Sequence, residues 1–317
     1  MVSIICNTYN HQEYIKDALD GFLMQKTDFP IEILIHDDAS TDNTTDIIRE
    51  YEKKYPNIIK PIYQTENQYS KGVDIIEKYQ YPRVKGKYIA LCEGDDYWID
   101  ENKLEKQFKL LEENEDVDIC AHAANVIDAR TKMKKKMISP SSKKIIFSVK
   151  DVIKGGGAFV VTNTLFYRSA IIDKEPDYCL YYKIDYALQI CGSMRGGMLY
   201  IPDTMSTYRE MVCGSWTERV TSNMEYMIDQ QEKVITMLNM VNEETNGKYA
   251  SEIRETILEF KFDCLLKQNK YKMARTGETK QIYKTRSLCD RMYVRAMEIC
   301  PRFIMKLKKI FTNNGDE

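Results

Sequence analysis

Short apolar runs alternate with amphipathic segments along the first third of the chain. The runs are rich in branched apolar side chains, which predicts buried strands, and they lie at residues 4–6, 31–35, 58–63 and 87–92. The segments between and after them place apolar side chains at helical spacing, at residues 10–23, 40–55 and 100–111. Strands that alternate with helices predict a mostly parallel sheet with helices on both faces.

The pattern changes twice further along the chain. Residues 117–127 and 158–166 are predicted strands, and the lysine-rich segment 130–148 between them is predicted to be an exposed loop or hairpin. That segment is either a solvated connection or a contact for an acceptor or a membrane. From about residue 220 only helical periodicity remains, at residues 222–242, 250–268 and 280–298.

The composition is that of a globular protein, since 43% of the 317 residues are apolar and 30% are charged. The formal net charge of -2 gives no reason to expect a basic surface, so we expect no nucleic-acid partner. Nine cysteines, an odd number without a C-x-x-C pair, indicate reduced thiols in a cytosol rather than disulfides or a zinc site.

The two ends of the chain bear on its location. The first residues enter a strand-like run without a basic and then apolar leader, and no apolar run approaches the roughly 18–20 residues that cross a bilayer. A cytoplasmic protein is therefore expected. Residues 301–311 combine apolar side chains at helical spacing with four cations. This tail is predicted to be either a helix on an anionic membrane, which would make the protein peripheral on the inner face, or a helix packed on protein.

Two of the predicted strands end in adjacent acids. Asp37 and Asp38 follow the strand at 31–35 and lead into a Ser/Thr/Asp-rich turn that opens a helix. Ser40 and Asp42 are expected to cap that helix, but capping does not explain the acid pair. A carboxylate at a strand end can accept an N–H from the edge of a pyrimidine base, a contact that discriminates strongly between bases.

Glu93-Gly94-Asp95-Asp96 follows the strand at 87–92, at the edge where open α/β sheets bind ligands. The motif is either an acidic surface turn or the site of a metal and a diphosphate. Carboxylates this close repel each other unless a cation joins them, and Mg²⁺ or Mn²⁺ prefers oxygen ligands that include phosphate. A divalent metal, Mn²⁺ or Mg²⁺, is therefore the expected cofactor.

Together with Ser3-Ile4-Ile5-Cys6-Asn7-Thr8-Tyr9-Asn10, these acidic motifs resemble the sequences of family 2 GT-A glycosyltransferases. The resemblance covers residues 1–216 and rests on the order of three motifs, each at a strand end. It implies a GT-A fold: α/β and Rossmann-like, a mixed central sheet with helices on both faces, here followed by a C-terminal helical region. The implied domains are residues 1–219, with a nucleotide-binding half at 1–115 and an acceptor half at 116–219, and a helical region at 220–317.

The resemblance implies an enzyme that moves a sugar from a UDP-sugar to a hydroxyl of a saccharide or lipid-linked saccharide. Inversion at the sugar carbon, a divalent metal and a role in surface polysaccharide or glycoconjugate synthesis come with it. The residues implied for the nucleotide-sugar are Asn7, Thr8 and Tyr9 in the first loop and the acid pair Asp37 and Asp38, of which Asp38 would hold the uracil.

The metal and the general base are implied in the same way. Asp96 would be the main metal ligand, while Asp95 would help it and lie nearer the ribose or sugar. An inverting transferase also needs a base that takes the proton of the acceptor hydroxyl, and the family's aspartate matches Asp185. Asp185 is predicted to start a helix, whose dipole favours the ionised form; otherwise it is a simple helix cap.

Residues 208–216 resemble a mobile flap that lies near the diphosphate in the family. Arg209 would meet phosphate charge there, unless it only forms a surface salt bridge, and Trp216 would stack on a sugar face. Met211 stands where many relatives have histidine, which leaves Glu210 as a possible substitute ligand.

Trp98 follows the acidic motif directly and either packs in the core or stacks on the acceptor. Two other functions stay open at this point. One is a catalytically degenerate protein that binds a sugar nucleotide, which the missing histidine would suit. The other is a nucleotidyltransferase, against which the first loop argues because it is not rich in glycine and basic residues.

Overall fold

The computed structural model of the chain describes residues 1–301. The chain divides into two compact units, Met1–Arg219 and Val220–Glu317. The division falls where the sequence pattern changes from alternating strands and helices to helices alone. The predicted tail lies outside the described residues, apart from Pro301 at its start.

A ten-stranded sheet forms the framework of the first unit. Its strands are β1 (Val2–Thr8), β2 (Ile31–Asp37), β3 (Ile59–Tyr63), β4 (Tyr88–Leu91), β5 (Tyr97–Trp98), β6 (Ile119–Asp128), β7 (Lys134–Ile138), β8 (Ile145–Phe147), β9 (Phe166–Arg168) and β10 (Met198–Glu210). Their order is β3-β2-β1-β4-β9-β6-β10-β5, with β7 paired to β6 and β8 to β10. β1 to β4 run parallel, whereas β9 is antiparallel to both neighbours. The sheet is therefore mixed, as predicted.

Helices of the first unit accompany this sheet. They are α1 (Ile15–Leu23), α2 (Thr44–Lys54), α3 (Lys103–Glu113), α4 (Val149–Gly155), α5 (Asp177–Tyr181), α6 (Asp185–Ser193) and α7 (Trp216–Ser222), within which the division into units falls. β1, β2 and β4 are buried along almost their whole length, as expected of parallel strands covered on both faces. These three strands leave mainly their ends accessible, and the candidate site lies there.

One predicted strand was wrong, and the lysine-rich segment contains more strand than predicted. Residues 158–166 do not form a strand, because the chain passes through a 3-10 turn at Thr162–Thr164 and β9 begins only at Phe166. The side chains of Thr162 and Asn163 in that turn bond to other parts of the unit instead. The lysine-rich segment is exposed along most of its length, as predicted. It contains two strands: β7 forms an antiparallel hairpin with the end of β6, and β8 pairs with β10.

The second unit is helical within the described residues. Its helices are α8 (Met224–Glu244), α9 (Ala250–Lys267), α10 (Tyr271–Thr276), α11 (Lys280–Thr285) and α12 (Leu288–Ile299). The predicted helix at 280–298 is thus broken into α11 and α12, where the hydroxyl of Ser287 accepts the N–H of Asp290 (3.1 Å) and caps α12. Throughout residues 1–301, no helix is both long enough and apolar enough to cross a bilayer.

Candidate active site

Three predicted loops meet at the carboxyl edge of the parallel strands β2, β1 and β4. The register places Thr8, at the end of β1, opposite Asp37 at the end of β2. The N–H of Asp38 donates to the carbonyl of Thr8 (3.0 Å), and the N–H of Gly94 donates to the carbonyl of Asn7 (2.9 Å). The first loop is therefore bonded to both acidic motifs, and the structure brings the three motifs together.

The first loop packs so closely on the acidic motif that residue 94 has to be glycine. A Cβ at Gly94 would lie 2.6 Å from Thr8 Oγ1 and 3.0 Å from the side chain of Ile15. Thr8 Oγ1 is buried and finds no hydrogen-bond partner within residues 1–301. Such an unpaired hydroxyl is unfavourable, which favours a ligand that pairs with it. Tyr9, by contrast, is exposed.

Both acids of the pair after β2 are buried and hydrogen-bonded by the protein itself. Asp37 accepts the N–H (3.1 Å) and the hydroxyl (2.5 Å) of Ser40, which fixes the turn into α2. Asp38 accepts the N–H of Gln68 (2.8 Å) at one oxygen and that of Tyr69 (3.0 Å) at the other. Each carboxylate oxygen can accept a second bond, so the contact of Asp38 with a base stays a prediction.

Asp96 belongs to a buried hydrogen-bond network. Its Oδ1 accepts the N–H of Arg209 (2.8 Å), and its Oδ2 accepts the side-chain amide of Asn163 (3.0 Å). The main-chain carbonyl of Asn163 accepts the indole N–H of Trp98 (3.0 Å). Burial, followed by the charge of Asp95, raises the pKa of Asp96 well above its usual range. Asp96 therefore joins three parts of the unit that are distant in sequence.

Asp95 has a carboxylate with fewer partners. The imidazole Nε2 of His11 lies 3.9 Å from its Oδ2, and within residues 1–301 no donor is at hydrogen-bond distance from this carboxylate. Glu93 is exposed to solvent, yet desolvation by the surrounding protein and the charges of Asp95 and Asp185 raise its pKa to about 8. Acidic side chains are therefore crowded here without enough cations to balance all of them in the ionised form.

This arrangement fits a hard divalent cation held partly by protein. Carboxylate oxygens that lack cationic partners are the ligands such ions prefer, and Mg²⁺ keeps water and substrate phosphate as its other ligands. In the described part of the chain, no three His, Cys, Asp or Glu side chains converge into a complete metal cage. A metal at Asp95 would thus take its other ligands from a diphosphate and water.

Arg209 is buried between two aromatic rings. Its guanidinium lies 4.4 Å from the ring centre of Tyr97 and 5.0 Å from that of Tyr14. It donates to the carbonyl of Asp95 (2.7 Å) and forms an ion pair with Asp17. Arg209 is therefore a buried residue that bonds to the acidic motif and holds it in place, rather than one that forms only a surface salt bridge. Its contact with phosphate stays a prediction.

Asp185 is the first residue of α6, at the predicted helix start. The hydroxyl of Thr162 donates to its Oδ2 (2.8 Å). Desolvation raises the pKa of Asp185 to about 6, although the bonds from Thr162 and from the N–H of Tyr186 act to lower it. The expected stabilisation of the ionised form by the helix start is therefore outweighed by burial. Thr162 is adjacent to Asn163, which donates to Asp96 (3.0 Å), so Asp185 lies near the acidic motif.

Thr162 and Asn163, two adjacent residues of one 3-10 turn, were not predicted from the sequence to belong to the site. Thr162 bonds to Asp185 and Asn163 bonds to Asp96, so a single turn positions both carboxylates. A signal was present in the sequence, because Thr162-Asn163-Thr164 is a polar triplet between the apolar residues 158–161 and 165–167. A buried strand would not carry three polar residues in succession.

Two of the predicted contacts need correction. Trp98 is only 2% exposed, packs on Phe22 with ring centres 4.8 Å apart, and has Lys103 Nζ 4.0 Å from its ring centre. It is a core residue and not an acceptor platform. Glu210 forms ion pairs with Lys135 (2.9 Å) and Lys136 (3.3 Å) of β7, so it does not replace the missing histidine.

Trp216 differs from Trp98, because it is 47% exposed at the start of α7. Its contact with a sugar stays a prediction. The indole surface available at this position is compatible with stacking on a sugar face, whereas the buried indole of Trp98 is not. Any acceptor contact by tryptophan in this unit therefore has to come from Trp216.

The architecture is similar to that of solved glycosyltransferases. S. aureus TarS (residues 1–349), in complex with UDP-GlcNAc, gives a TM-score of 0.60 at 18% identity, over 92% of this chain and 77% of TarS. The mannosyltransferase PcManGT from Pyrobaculum calidifontis, in complex with GDP-Man and Mn²⁺, gives 0.54 at 12% identity, over 94% of this chain and 84% of that one. At such identities the likeness shows the fold, which is GT-A.

Sequence comparison supplies the family. An uncharacterized protein of Mycobacterium tuberculosis is 36% identical over 229 residues, which cover 71% of this chain and 63% of that protein. The chain thus spans less than two thirds of the length of this relative. Residues 3–175 match the model of glycosyl transferase family 2, which is more than half of the 317 residues. The chain therefore belongs to glycosyl transferase family 2.

Proposed function

We propose that this glycosyltransferase moves a sugar from a UDP-sugar to an acceptor hydroxyl, with inversion and with the help of a divalent metal. The observation that carries the proposal is the meeting of the first loop, both acidic motifs and Asp185 at one edge of the sheet. A surface polysaccharide or glycoconjugate is the proposed product, in line with the family resemblance. TarS, which is similar in fold, was solved with UDP-GlcNAc.

The nucleotide is proposed to bind over the ends of β1 and β2. Asn7, Thr8 and Tyr9 would line its pocket, and the unpaired hydroxyl of Thr8 would bond to it. Asp38, held rigidly by two backbone N–H groups, would accept the N–H of uracil. A base that presents no donor at that point could not form this additional bond, so the contact would select the base.

Of the two acids after β4, Asp95 is the better placed metal ligand and Asp96 its buried support. This proposal exchanges the main and helping roles that the family resemblance implied for the two acids. Both oxygens of Asp96 already accept bonds from Arg209 and Asn163, whereas Asp95 has only the distant His11. When bound, Mn²⁺ or Mg²⁺ supplies positive charge that stabilises the departing diphosphate; the neighbour PcManGT was solved with Mn²⁺.

Asp185 is proposed as the general base. With a pKa of about 6, its carboxylate is mostly ionised at pH 7 and can take the proton of the acceptor hydroxyl. The acceptor oxygen then bonds to the sugar C1 as the bond from C1 to the diphosphate oxygen breaks, and that electron pair leaves with UDP. Attack from the face opposite the diphosphate inverts C1. Thr162 holds the carboxylate in one orientation through its 2.8 Å bond.

The test is release of UDP from a panel of UDP-sugars, with Mn²⁺, with Mg²⁺ and with a chelator. Turnover that depends on the metal supports the proposal and distinguishes an enzyme from a sugar-nucleotide-binding protein. Asp185→Asn should lower turnover at least about 100-fold, because general-base catalysis contributes that much, while UDP affinity stays unchanged. Asp177→Asn, at the exposed start of α5, is the matched control. Full activity of Asp185→Asn would refute the assignment of the base.

A further inference from the structure

A groove of about 490 Å³ opens on the second unit, and its lining is cationic. The charged side chains that line it are Arg275, Lys280, Lys284, Arg291 and Arg295. No acidic side chain lines this groove within the described residues. This charge is local, because the whole chain has a net charge of -2. The groove is therefore complementary to anionic groups.

The cations of the groove are only partly balanced by the protein. Arg275 forms two bonds to Glu298, of 2.9 and 3.1 Å. Nε of Arg291 is buried and finds no hydrogen-bond partner among residues 1–301. Lys284 and Arg295 are exposed. Within the described residues, no carboxylate oxygen lies within 4.0 Å of the side-chain nitrogens of either residue. An anion with several oxygens would satisfy these donors together.

The helix that forms one wall of the groove, α12, is apolar on two faces. Val294 and Met297 pack into the core of the second unit. Leu288, Met292 and Ile299 are 65%, 62% and 77% exposed, and their spacing of four and seven residues places them on one face. Arg295 falls on that same face by the same spacing. A surface helix usually has one apolar face, so the second apolar face needs an explanation.

We propose that the groove and the exposed face of α12 bind the surface of an anionic membrane. Headgroup phosphates would enter the groove between the five cations, while Leu288, Met292 and Ile299 would enter the boundary between headgroups and acyl chains. A soluble anion would use the cations but not the apolar face. The chain's own residues 302–311 carry four cations and no acid, so their charge disfavours them as occupants of the groove.

The experiment is sedimentation of the full chain with vesicles of phosphatidylcholine, alone or with one third phosphatidylglycerol. The chain should bind the anionic vesicles, and binding should weaken as salt rises. Lys284→Glu with Arg295→Glu should weaken it at least about tenfold, since each basic residue near an anionic surface adds to the affinity. Leu288→Ser with Met292→Ser should also weaken it, and this loss should persist in high salt.

The control is Lys53→Glu with Lys54→Glu, two exposed lysines at the end of α2 in the first unit, which changes the net charge equally. Equal losses of vesicle binding in the control and the groove variants would overturn the proposal. Unchanged vesicle binding in the groove variants would overturn it too, because residues 302–311 would then be sufficient for binding. Displacement of the chain from vesicles by micromolar tripolyphosphate, with no effect of the Leu288 and Met292 changes, would assign the groove to a soluble phosphate instead. The proposal does not rest on the reaction, and UDP release without vesicles should be normal in every variant.

Discussion

Two pairs of adjacent acids lie at neighbouring strand ends, and the protein surrounds them differently. After β2, every carboxylate oxygen of Asp37 and Asp38 accepts a hydrogen bond from a backbone N–H or a hydroxyl. After β4, Asp96 is supplied in the same way, but Asp95 is not. The protein's own donors hold the first pair, which needs no cation, whereas Asp95 of the second pair is left for the proposed metal. The donors around an acid, and not the acid itself, decide its use.

The most severe test of this contrast is Asp95→Asn. Turnover should fall at least about 100-fold, and the gain in UDP affinity on adding Mn²⁺ should disappear, because the change removes the negative charge that holds the metal. Calorimetry with UDP, with and without Mn²⁺, measures the gain. Asp38→Asn is the matched control: it should weaken UDP binding but keep the effect of Mn²⁺. If only Asp96→Asn removed the effect of Mn²⁺, Asp96 would be the metal ligand.

Asn163→Ala tests whether Asp96 depends on its donors. The change removes the amide that donates to the buried Asp96. It also removes Oδ1 of Asn163, which accepts the hydroxyl of Ser206 (2.7 Å). The free energy of unfolding should fall by about 2–3 kcal/mol, the usual effect of unpaired buried polar groups. Denaturant titration measures it. Asn57→Ala, at an exposed position, should change stability by less than about 0.5 kcal/mol, and an equally small change for Asn163→Ala would contradict the network.

Asp37→Asn should affect stability and leave the use of metal intact. An amide has one acceptor oxygen, so it cannot serve both Ser40 and the hydroxyl of Thr45, which bond to different oxygens of Asp37. A loss of about 1–2 kcal/mol is expected, as for other lost caps and turns. Thermal denaturation checks it against Asp46→Asn, an exposed change on α2. Loss of the Mn²⁺ effect in Asp37→Asn would show that the first pair also takes part in metal binding.

The smallest expected effect concerns Asp185, whose carboxylate accepts a hydrogen bond from the hydroxyl of Thr162. In the parent, kcat/KM should fall about tenfold per pH unit below a pKa of about 6, because only the ionised carboxylate accepts a proton. The bond from Thr162 stabilises the ionised form, so Thr162→Val should raise this pKa by about 0.5–1 unit. A pH–rate profile from pH 5 to 8 measures the shift. Thr162→Ser should restore the parent profile, and an unshifted Thr162→Val profile would show that the hydroxyl has no such role.

The sequence predicted the parts of the site that follow strand ends. Buried runs locate the strands, parallel strands bring their ends together, and so the first loop and both acid pairs could be placed. The proposed division of roles between Asp95 and Asp96 could not, because it depends on Asn163 and Arg209, which lie 67 and 113 residues further along the chain from Asp96. Likewise, residues 158–166 were predicted as a strand because most of them are apolar. The turn within this segment, from which Thr162 and Asn163 bond to the site, has no apolar pattern of its own.

The bonds made by Arg209 also have a consequence for the order of folding. Its side chain pairs with Asp17, 192 residues earlier, and its N–H bonds to Asp96. Contacts this distant in sequence form late, because a long loop must close first. During synthesis the strands β1, β2 and β4 emerge long before residue 209 does. The acidic motif is therefore assembled only near the end of the first unit's synthesis, and a nascent chain shorter than that would carry its acids without the residues that arrange them.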